Sequence, residues 1–198
     1  ASSLEEGVVN ENDTFNDPGY IIVSGERIHC WKAGGHGHQT FSDVVKNSCN
    51  PGFVQVGMRL GKEKLYNYIN AFGFGKRTGI KLPGEAKGLL SGFDEIGPVE
   101  LATMSFGHGI TVTPIQLINA VAAIANDGML LKPRLVDKIT NKEGEIVKKV
   151  DPTPIRQVIS ENTARRTRNL LARVVAEGTG KNAQIKGYEI GGKTGTAK

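Results

Sequence analysis

The sequence predicts a helix-dominated α+β fold. Apolar residues recur at helical spacing in several segments, and two short runs rich in β-branched residues flank tight turns. Glycine accounts for 26 of the 198 residues, about twice its usual share of ~7%, which indicates many tight turns or close backbone approaches. Hydrophobic residues make up 38% and charged residues 23%, a composition that argues against a disordered chain.

Helices are predicted from apolar spacing and from capping residues. A helix over the first residues ends at Gly7, and Thr40 opens another with Asp43 as its capping-box partner. Asn50 is the predicted N-cap of the next helix, with Pro51 at its first position. Further helices are predicted over residues 62–72, 98–104, 114–125 and 160–177. The segment 114–125 is apolar at nearly every position, so we expect it to be buried on all sides.

Strands are predicted from two hairpins and from one segment near the end of the sequence. The hairpins cover residues 20–31 and 134–150, each centred on a tight turn. Residues 188–198 alternate weakly between apolar and polar side chains and are predicted to form the last strand. Stretches rich in Gly, Pro, Asn and Asp are predicted to be loops over residues 8–18, 34–38 and 74–95.

The charge distribution predicts no nucleic-acid partner. The chain has 25 Lys and Arg against 20 Asp and Glu, a net charge of +5. Basic residues gather at the second hairpin and along the helix predicted over residues 160–177, but no aromatic residues interleave with them. Without such a stacking platform, we expect the basic residues to form solvated faces.

Two short motifs, taken together in their order along the chain, contain side chains that could form a reactive site. Ser48-Cys49-Asn50 lies in a tight turn between two predicted helices, where two polar side chains can point into one cleft. Lys193-Thr194-Gly195 lies on the predicted last strand after two glycines, which would let an extended peptide approach the strand edge. The Lys193 ammonium and the hydroxyls of Thr194 and Thr196 could hold a carboxylate.

With these motifs in this order, the sequence resembles the transpeptidase domain of class B penicillin-binding proteins. The same resemblance extends over residues 72–75, 78–85, 106–109, 113–116 and 191–197. It implies the helix-rich part of the penicillin-binding protein and serine β-lactamase-like fold, with two hairpins and the Lys-Thr-Gly strand. The family's Ser-x-x-Lys motif occurs nowhere in the sequence. Residues 1–198 are therefore expected to be a partial transpeptidase domain, with that motif before residue 1 and most of the central sheet, including the final strands and helix, outside the chain.

The resemblance implies a peptidoglycan D,D-transpeptidase that cross-links stem peptides through an acyl-serine intermediate. The implied partners are stem peptides ending in D-Ala-D-Ala, β-lactam antibiotics and other cell-wall synthesis proteins. The implied location is the extracytoplasmic face of the bacterial cytoplasmic membrane, and the chemistry needs no cofactor. Without the nucleophilic serine, the chain alone is expected to be inactive and not to be labelled by penicillin. The alternatives are a β-lactam sensor and a D,D-carboxypeptidase or β-lactamase of the same fold.

The resemblance also implies a role for each motif residue. Ser48 would relay a proton to the leaving amine, with Asn50 bonding the substrate amide and the absent lysine. Lys193 would lower the cost of negative charge and so tune Ser48, and the hydroxyls of Thr194 and Thr196 would bind the substrate carboxylate. The Thr196 N–H would be an oxyanion donor, and Gly195 would keep the strand clear of side chains.

Metal-ligating residue types gather before the Ser-x-Asn turn. Cys30, His36 and His38 are all zinc-ligand types, and the Gly-rich loop could fold the two histidines back over the strand end. Asp43, in the first turn of the next helix, could supply a fourth ligand. These types are compatible with a structural zinc, although the spacing matches no standard zinc finger and the family resemblance does not require a metal. The alternatives are a solvated loop beside a half-buried thiol, and a disulfide between Cys30 and Cys49.

Overall fold

The structure, a computed structural model, describes residues 1–195. Within this part, seven α-helices are joined by short strands, and the predicted α+β class is confirmed. The helices are α1 (Ser2–Glu5), α2 (Phe41–Asn47), α3 (Asn50–Leu60), α4 (Lys62–Ala71), α5 (Pro98–Met104), α6 (Pro114–Ala125) and α7 (Glu161–Glu177). The strands are β1 (Thr14–Asp17), β2 (Tyr20–Val23), β3 (Glu26–His29), β4 (Gly37–Thr40), β5 (Leu89–Leu90), β6 (Ile110–Thr111), β7 (Met129–Leu131), β8 (Lys138–Thr140), β9 (Ile146–Lys149) and β10 (Pro154–Gln157).

The strands of the described residues pair two by two and antiparallel. The pairs are β1–β4, β2–β3, β5–β6, β7–β10 and β8–β9. Both predicted hairpins form, as β2–β3 and β8–β9. The β1–β4 pair contradicts the predicted loops at residues 8–18 and 34–38. These segments are polar and Gly-rich without alternation, and Asp17 pairs with Gly37 twenty positions later, so tertiary pairing decides their conformation.

The largest buried cluster lies where α2 and α3 pack against α7 and β1. Its buried members are Leu4, Val9, Phe15, Phe41, Val44, Val45, Cys49, Val56, Leu170 and Val174. The Cys49 side chain, in the turn between α2 and α3, is fully buried. The turn that carries the Ser-x-Asn motif is therefore anchored in the core through its middle residue.

The start of α3 differs from the prediction by one residue. Cys49, not Asn50, is the N-cap, and its thiol accepts a weak hydrogen bond from the Gly52 N–H at 3.4 Å. Asn50 is the first helical residue, because its side chain is already bound to another segment, as described below. The predicted capping box of α2 is confirmed: the Thr40 hydroxyl accepts from the Asp43 N–H, and the Asp43 carboxylate accepts from the Thr40 N–H.

Asp43 should make the fold sensitive to acid. Its hydrogen bond from Lys46 and those from Thr40 outweigh burial and lower the pKa of Asp43 from 3.8 to about 2. Because the pKa is lower in the folded chain, this stabilisation is complete above pH ~4 and is lost as the pH falls through the folded value. We expect the free energy of unfolding to fall more steeply between pH 4 and 2 in the wild type than in Asp43→Asn. Urea denaturation measures both, and equal slopes would contradict this expectation.

Two further predictions are wrong within the described residues. Helix α6 is not buried on all sides, since Leu117, Ile118 and Val121 are exposed and its contacts are with β7 and α7. Residues 188–195 form no strand, because no described segment pairs with them and the Gly192 N–H donates to the Leu171 carbonyl instead. Residues 196–198 of that predicted strand lie outside the described part. None of the helices in residues 1–195 is both long and apolar enough to span a membrane.

Candidate active site and metal cluster

Ser48 lies in the turn between α2 and α3 with a left-handed backbone. Its φ and ψ are 53° and 46°, values that a residue with a Cβ adopts at a cost of about 1–3 kcal/mol. The neighbouring N–H groups of Ser48 and Cys49 still bond the carbonyls at the end of α2, at 3.2 and 3.1 Å. This sharp turn reverses the chain between two helices while the Ser48 side chain stays only partly buried.

The structure brings the two predicted motifs together. Lys193 Nζ donates a hydrogen bond to Ser48 Oγ at 2.5 Å and another to the Thr194 carbonyl at 3.0 Å. Its ammonium group also lies 5.9 Å from the centre of the Phe53 ring. Burial of the ammonium lowers the pKa of Lys193. Since Lys193 supplies the donor in the contact with Ser48, the Ser48 hydroxyl hydrogen is left to bond another group.

The side chain of Asn50 is held by β3. Its Nδ2 donates to the His29 carbonyl at 3.1 Å. Among residues 1–195, nothing donates to its Oδ1, which remains available as an acceptor. One half of the amide therefore orients the residue, and the other half can meet a ligand.

Thr194 is positioned by a residue that the sequence analysis did not single out. The hydroxyl oxygens of Thr194 and Thr179 lie 2.9 Å apart, and the Thr179 N–H donates to the Lys46 carbonyl at 3.3 Å. Thr179 follows the end of α7 between two glycines, and this pattern could have indicated a functional residue in a tight turn. Gly195 is exposed, with open space where a Cβ would lie. Thr196 lies outside the described residues.

Four metal-ligating side chains meet beneath the turn: Asp17, Cys30, His36 and Cys49. One ligand atom from each lies within 4.8 Å of all the others. His36 Nδ1 is 2.9 Å from Asp17 Oδ2 and 3.3 Å from Cys30 Sγ. Cys49 Sγ donates to Asp17 Oδ2 at 3.2 Å. Asp17 and Cys49 are fully buried, and both cysteines are free thiols.

The protonation of this cluster follows from burial and from its hydrogen bonds. Burial alone would raise the pKa of Asp17, but hydrogen bonds from Cys30, the Gly19 N–H, His36 and Cys49 outweigh it and lower that pKa well below its usual range. Burial and the Asp17 carboxylate raise the pKa of Cys30 to about 11 and that of Cys49 to about 12. Asp17 is therefore a carboxylate at neutral pH, with two protonated thiols beside it.

Two of the four predicted metal ligands belong to this cluster and two do not. Cys30 and His36 meet as expected. His38 lies in β4 opposite Asn16 and is exposed. Asp43 is committed to the capping box of α2 and to Lys46, whose Nζ lies 2.8 Å from its carboxylate. Asp17 and Cys49 are the other two members of the cluster. Asp17 lies there because the β1–β4 pairing, which was not predicted, brings it next to the Gly-rich loop.

The chain is similar to known proteins over its whole length. Residues 1–198 match the family described as the penicillin binding protein transpeptidase domain. The chain is 53% identical over 203 residues to the stage V sporulation protein D of Bacillus subtilis, with all of this chain and 31% of that protein covered. It is 32% identical over 198 residues to the peptidoglycan D,D-transpeptidase FtsI of Escherichia coli, with coverage of 100% and 31%. The chain thus spans just under a third of the length of these relatives.

Solved structures give the same picture. The D,D-transpeptidase domain of a peptidoglycan glycosyltransferase from Eggerthella lenta is similar with a TM-score of 0.87 and 31% identity, covering 100% of this chain and 51% of that one. Penicillin-binding protein 3 from Mycobacterium tuberculosis, in complex with aztreonam, gives a TM-score of 0.88 and 33% identity, covering 99% and 45%. The predicted penicillin-binding and β-lactamase-like fold is therefore confirmed.

Proposed function

The chain belongs to the penicillin-binding protein transpeptidase domain family, within class B, and from this membership we propose that it supplies the Ser-x-Asn and Lys-Thr-Gly elements of a peptidoglycan D,D-transpeptidase. The observation that carries the proposal is the 2.5 Å hydrogen bond from Lys193 Nζ to Ser48 Oγ. It joins two short motifs, 145 residues apart, at one point. We call the longer protein that joins this chain to a Ser-x-x-Lys segment the extended protein.

The proposed reaction exchanges one amide bond for another. The serine of the Ser-x-x-Lys segment attacks the carbonyl carbon between the two terminal D-alanines of a donor stem, forming an ester and releasing D-alanine. The amine of an acceptor stem then attacks the ester, the serine leaves, and the cross-link forms. The departing nitrogen needs one proton in the first half, and the attacking nitrogen gives one up in the second.

Ser48 is suited to carry that proton. Lys193 occupies a lone pair of Ser48 Oγ, so the Ser48 hydroxyl hydrogen points away from the ammonium. A hydroxyl in this arrangement donates to the departing nitrogen and recovers a proton from the attacking one. Two of the three Lys193 N–H groups are used by Ser48 and Thr194, which leaves one for the substrate carboxylate. Asn50 Oδ1 would accept from the substrate amide.

The extended protein should also react with β-lactams. Penicillin-binding protein 3 of Mycobacterium tuberculosis has been solved with aztreonam and with ampicillin, and the ammonium and hydroxyl groups at Ser48 and Lys193 suit the same carboxylate-bearing ligands. We place the extended protein at the extracytoplasmic face of the bacterial cytoplasmic membrane, with other cell-wall synthesis proteins as partners, since relatives of the chain are named peptidoglycan D,D-transpeptidases.

Fluorescent penicillin tests this assignment. We expect covalent labelling of the extended protein and none of residues 1–198 alone, because the sequence contains no Ser-x-x-Lys. Labelling of the 198-residue chain would contradict the proposal. Incubation of the extended protein with donor and acceptor stems should yield cross-linked dimers. Release of D-alanine without dimers would favour a carboxypeptidase, and stable acylation without turnover would favour a sensor.

We also propose that Asp17, Cys30, His36 and Cys49 hold a structural metal, with Zn²⁺ as the ion that these ligand types favour. Sulfur, imidazole and carboxylate are all zinc-ligand types, and four such ligands suit the tetrahedral geometry of a structural zinc site. Bonds of 2.0–2.3 Å to one ion would place the ligand atoms about 3.3–3.8 Å apart. Three of the six observed separations are 2.9–3.3 Å, and all six lie within 4.8 Å, so binding an ion would require shifts of about 1 Å or less. The ion would replace the thiol protons that now bond Asp17.

Such an ion would brace the active-site turn and take no part in the reaction. Cys49 lies between Ser48 and Asn50, so its sulfur would tie the turn to β1 through Asp17 and to the end of β3 through Cys30. The left-handed conformation of Ser48 costs free energy, and a ligand bond at the next residue would help to hold it.

Elemental analysis of untagged protein, kept reduced and dialysed against Zn²⁺, tests the metal proposal. We expect about one zinc per wild-type chain, and a loss of most of it in Asp17→Asn and Cys49→Ser, because each removes one of four ligands. Asp43→Asn and His38→Asn are the matched controls, since both were candidate ligands by sequence and both lie outside the cluster; they should bind as the wild type does. A wild type without zinc, or equal loss in the controls, would refute the site.

A further inference from the structure

The only tryptophan of the chain, Trp31, stands next to the active-site turn. Its Nε1 donates to the Asn47 carbonyl at 2.8 Å. That carbonyl belongs to the peptide bond before Ser48, so the indole nitrogen lies at most about 5.4 Å from the Ser48 nitrogen. The ring also makes an edge contact with His36, at 5.4 Å between centres, yet 60% of the residue is exposed. The indole is thus fixed at one edge and open elsewhere.

Two different segments border the turn. Lys193 and Thr194 meet it through Ser48, and this is the segment on which we propose that the donor stem binds through its carboxylate. Residues 29–31 meet it through Asn47 and Asn50, by the bonds from Trp31 and to the His29 carbonyl. A donor placed along residues 193–195 leaves the indole side of the turn for the second substrate.

We propose that the open face of Trp31 binds the amine-bearing end of the acceptor stem, an inference that rests on the proposed transpeptidase function. A primary amine is an ammonium in neutral water. The face of an indole attracts such a cation through its ring quadrupole, more strongly than the face of any other side chain. Trp31 would hold the acceptor beside Ser48, where its proton must be removed before the nitrogen attacks the acyl-enzyme. It is a binding residue for one substrate only and selects amine over water.

The acyl-enzyme reacts either with the acceptor amine or with water, and the ratio of these two products measures the selection. The extended protein is given a donor pentapeptide stem and an acceptor stem, and dimer and hydrolysed donor are counted together. Trp31→Leu removes the aromatic face but keeps an apolar side chain. We expect it to lower the ratio of dimer to hydrolysed donor about 2- to 30-fold, the range that a cation–π contact supplies. Acylation by fluorescent penicillin, which involves no acceptor, should change little.

A second variant separates binding from support of the turn. Trp31→Phe keeps an aromatic face and loses the N–H that bonds Asn47, so it should retain most of the acceptor selectivity. If Trp31 only supports the turn, both variants will slow acylation and neither will change the partition ratio, which would overturn the inference. Absence of acylation in the wild type would overturn the proposed function and this inference with it. Normal acylation with an unchanged ratio in Trp31→Leu would overturn this inference alone.

Fluorescence gives a readout that needs no activity, because the emission that the extended protein loses in Trp31→Phe belongs to Trp31, the one indole of residues 1–198. We expect an acceptor stem with a free side-chain amine to change the emission of the extended protein in a saturable way. The same stem acetylated on that amine keeps its size and loses its charge, and it should bind at least severalfold more weakly. Equal responses to the two peptides would contradict a cation-binding role.

Discussion

Lys193→Met is expected to slow penicillin acylation of the extended protein about 10²- to 10⁴-fold, the usual contribution of a positioned proton-transfer pair. Methionine keeps the length and apolar stem of lysine but cannot donate to Ser48 Oγ or attract a carboxylate. The bond removed is the 2.5 Å contact that unites the two motifs. Stopped-flow acylation measures the effect, and Lys181→Met, in an exposed turn after α7, is the control. A rate within threefold of the wild type would remove Lys193 from the mechanism.

The pH dependence of acylation should also depend on the Lys193 ammonium. Burial lowers the pKa of Lys193, so its ammonium loses the proton at a lower pH than a free lysine, whose pKa is about 10.4. Loss of the charge weakens carboxylate binding and the polarisation of Ser48. We therefore expect wild-type acylation to decline on the alkaline side, starting below that value, and the decline to be absent in Lys193→Met. A common alkaline limb in both proteins would assign it to another group.

Ser48→Gly is expected to be more stable than Ser48→Ala and yet to acylate as slowly. At φ 53° a Cβ is strained and glycine is not. We expect Ser48→Gly to exceed Ser48→Ala in free energy of unfolding by about 1–2 kcal/mol, whereas both lose the proton-relaying hydroxyl and should acylate about 10²- to 10⁴-fold more slowly. Urea denaturation and stopped-flow labelling give the two numbers.

Ser42 provides a matched control for the backbone argument. It lies inside α2, where glycine is less favourable than alanine by about 0.5–1 kcal/mol. The difference between Gly and Ala should therefore have opposite signs at positions 42 and 48. The same sign at both positions would show that the left-handed backbone of Ser48 stores no strain.

The sequence correctly predicted the elements that depend on interactions between residues close in sequence. The caps at Thr40 and Ser160 and the helices they start follow from side chains that bond their own backbone within three residues. The hairpin around Ser24 and Gly25 follows from its turn residues in the same way. Ser48 and Lys193 could be paired only through resemblance to a family, since nothing in their spacing brings them together.

The predictions that the structure contradicts all concern contacts between segments that are distant in sequence. Asp17 was assigned to a loop, and only its pairing with β4 places it beside Cys30 and His36. Asn50 is a good N-cap by composition, but the His29 carbonyl takes its side chain and Cys49 caps α3 instead. The apolar face of α6 predicts burial without naming what would cover it. Propensity and periodicity carry no information on such partners.

The long separation between Ser48 and Lys193 also sets an order of assembly. Closing a loop of 145 residues costs about 2 kcal/mol more in chain entropy than closing the 16 residues between Trp31 and Asn47. The turn can therefore adopt its shape early, supported by neighbours close in sequence, while the lysine arrives only when nearly the whole chain has folded. We therefore expect the refolding extended protein to regain penicillin labelling late, well after its helices have formed.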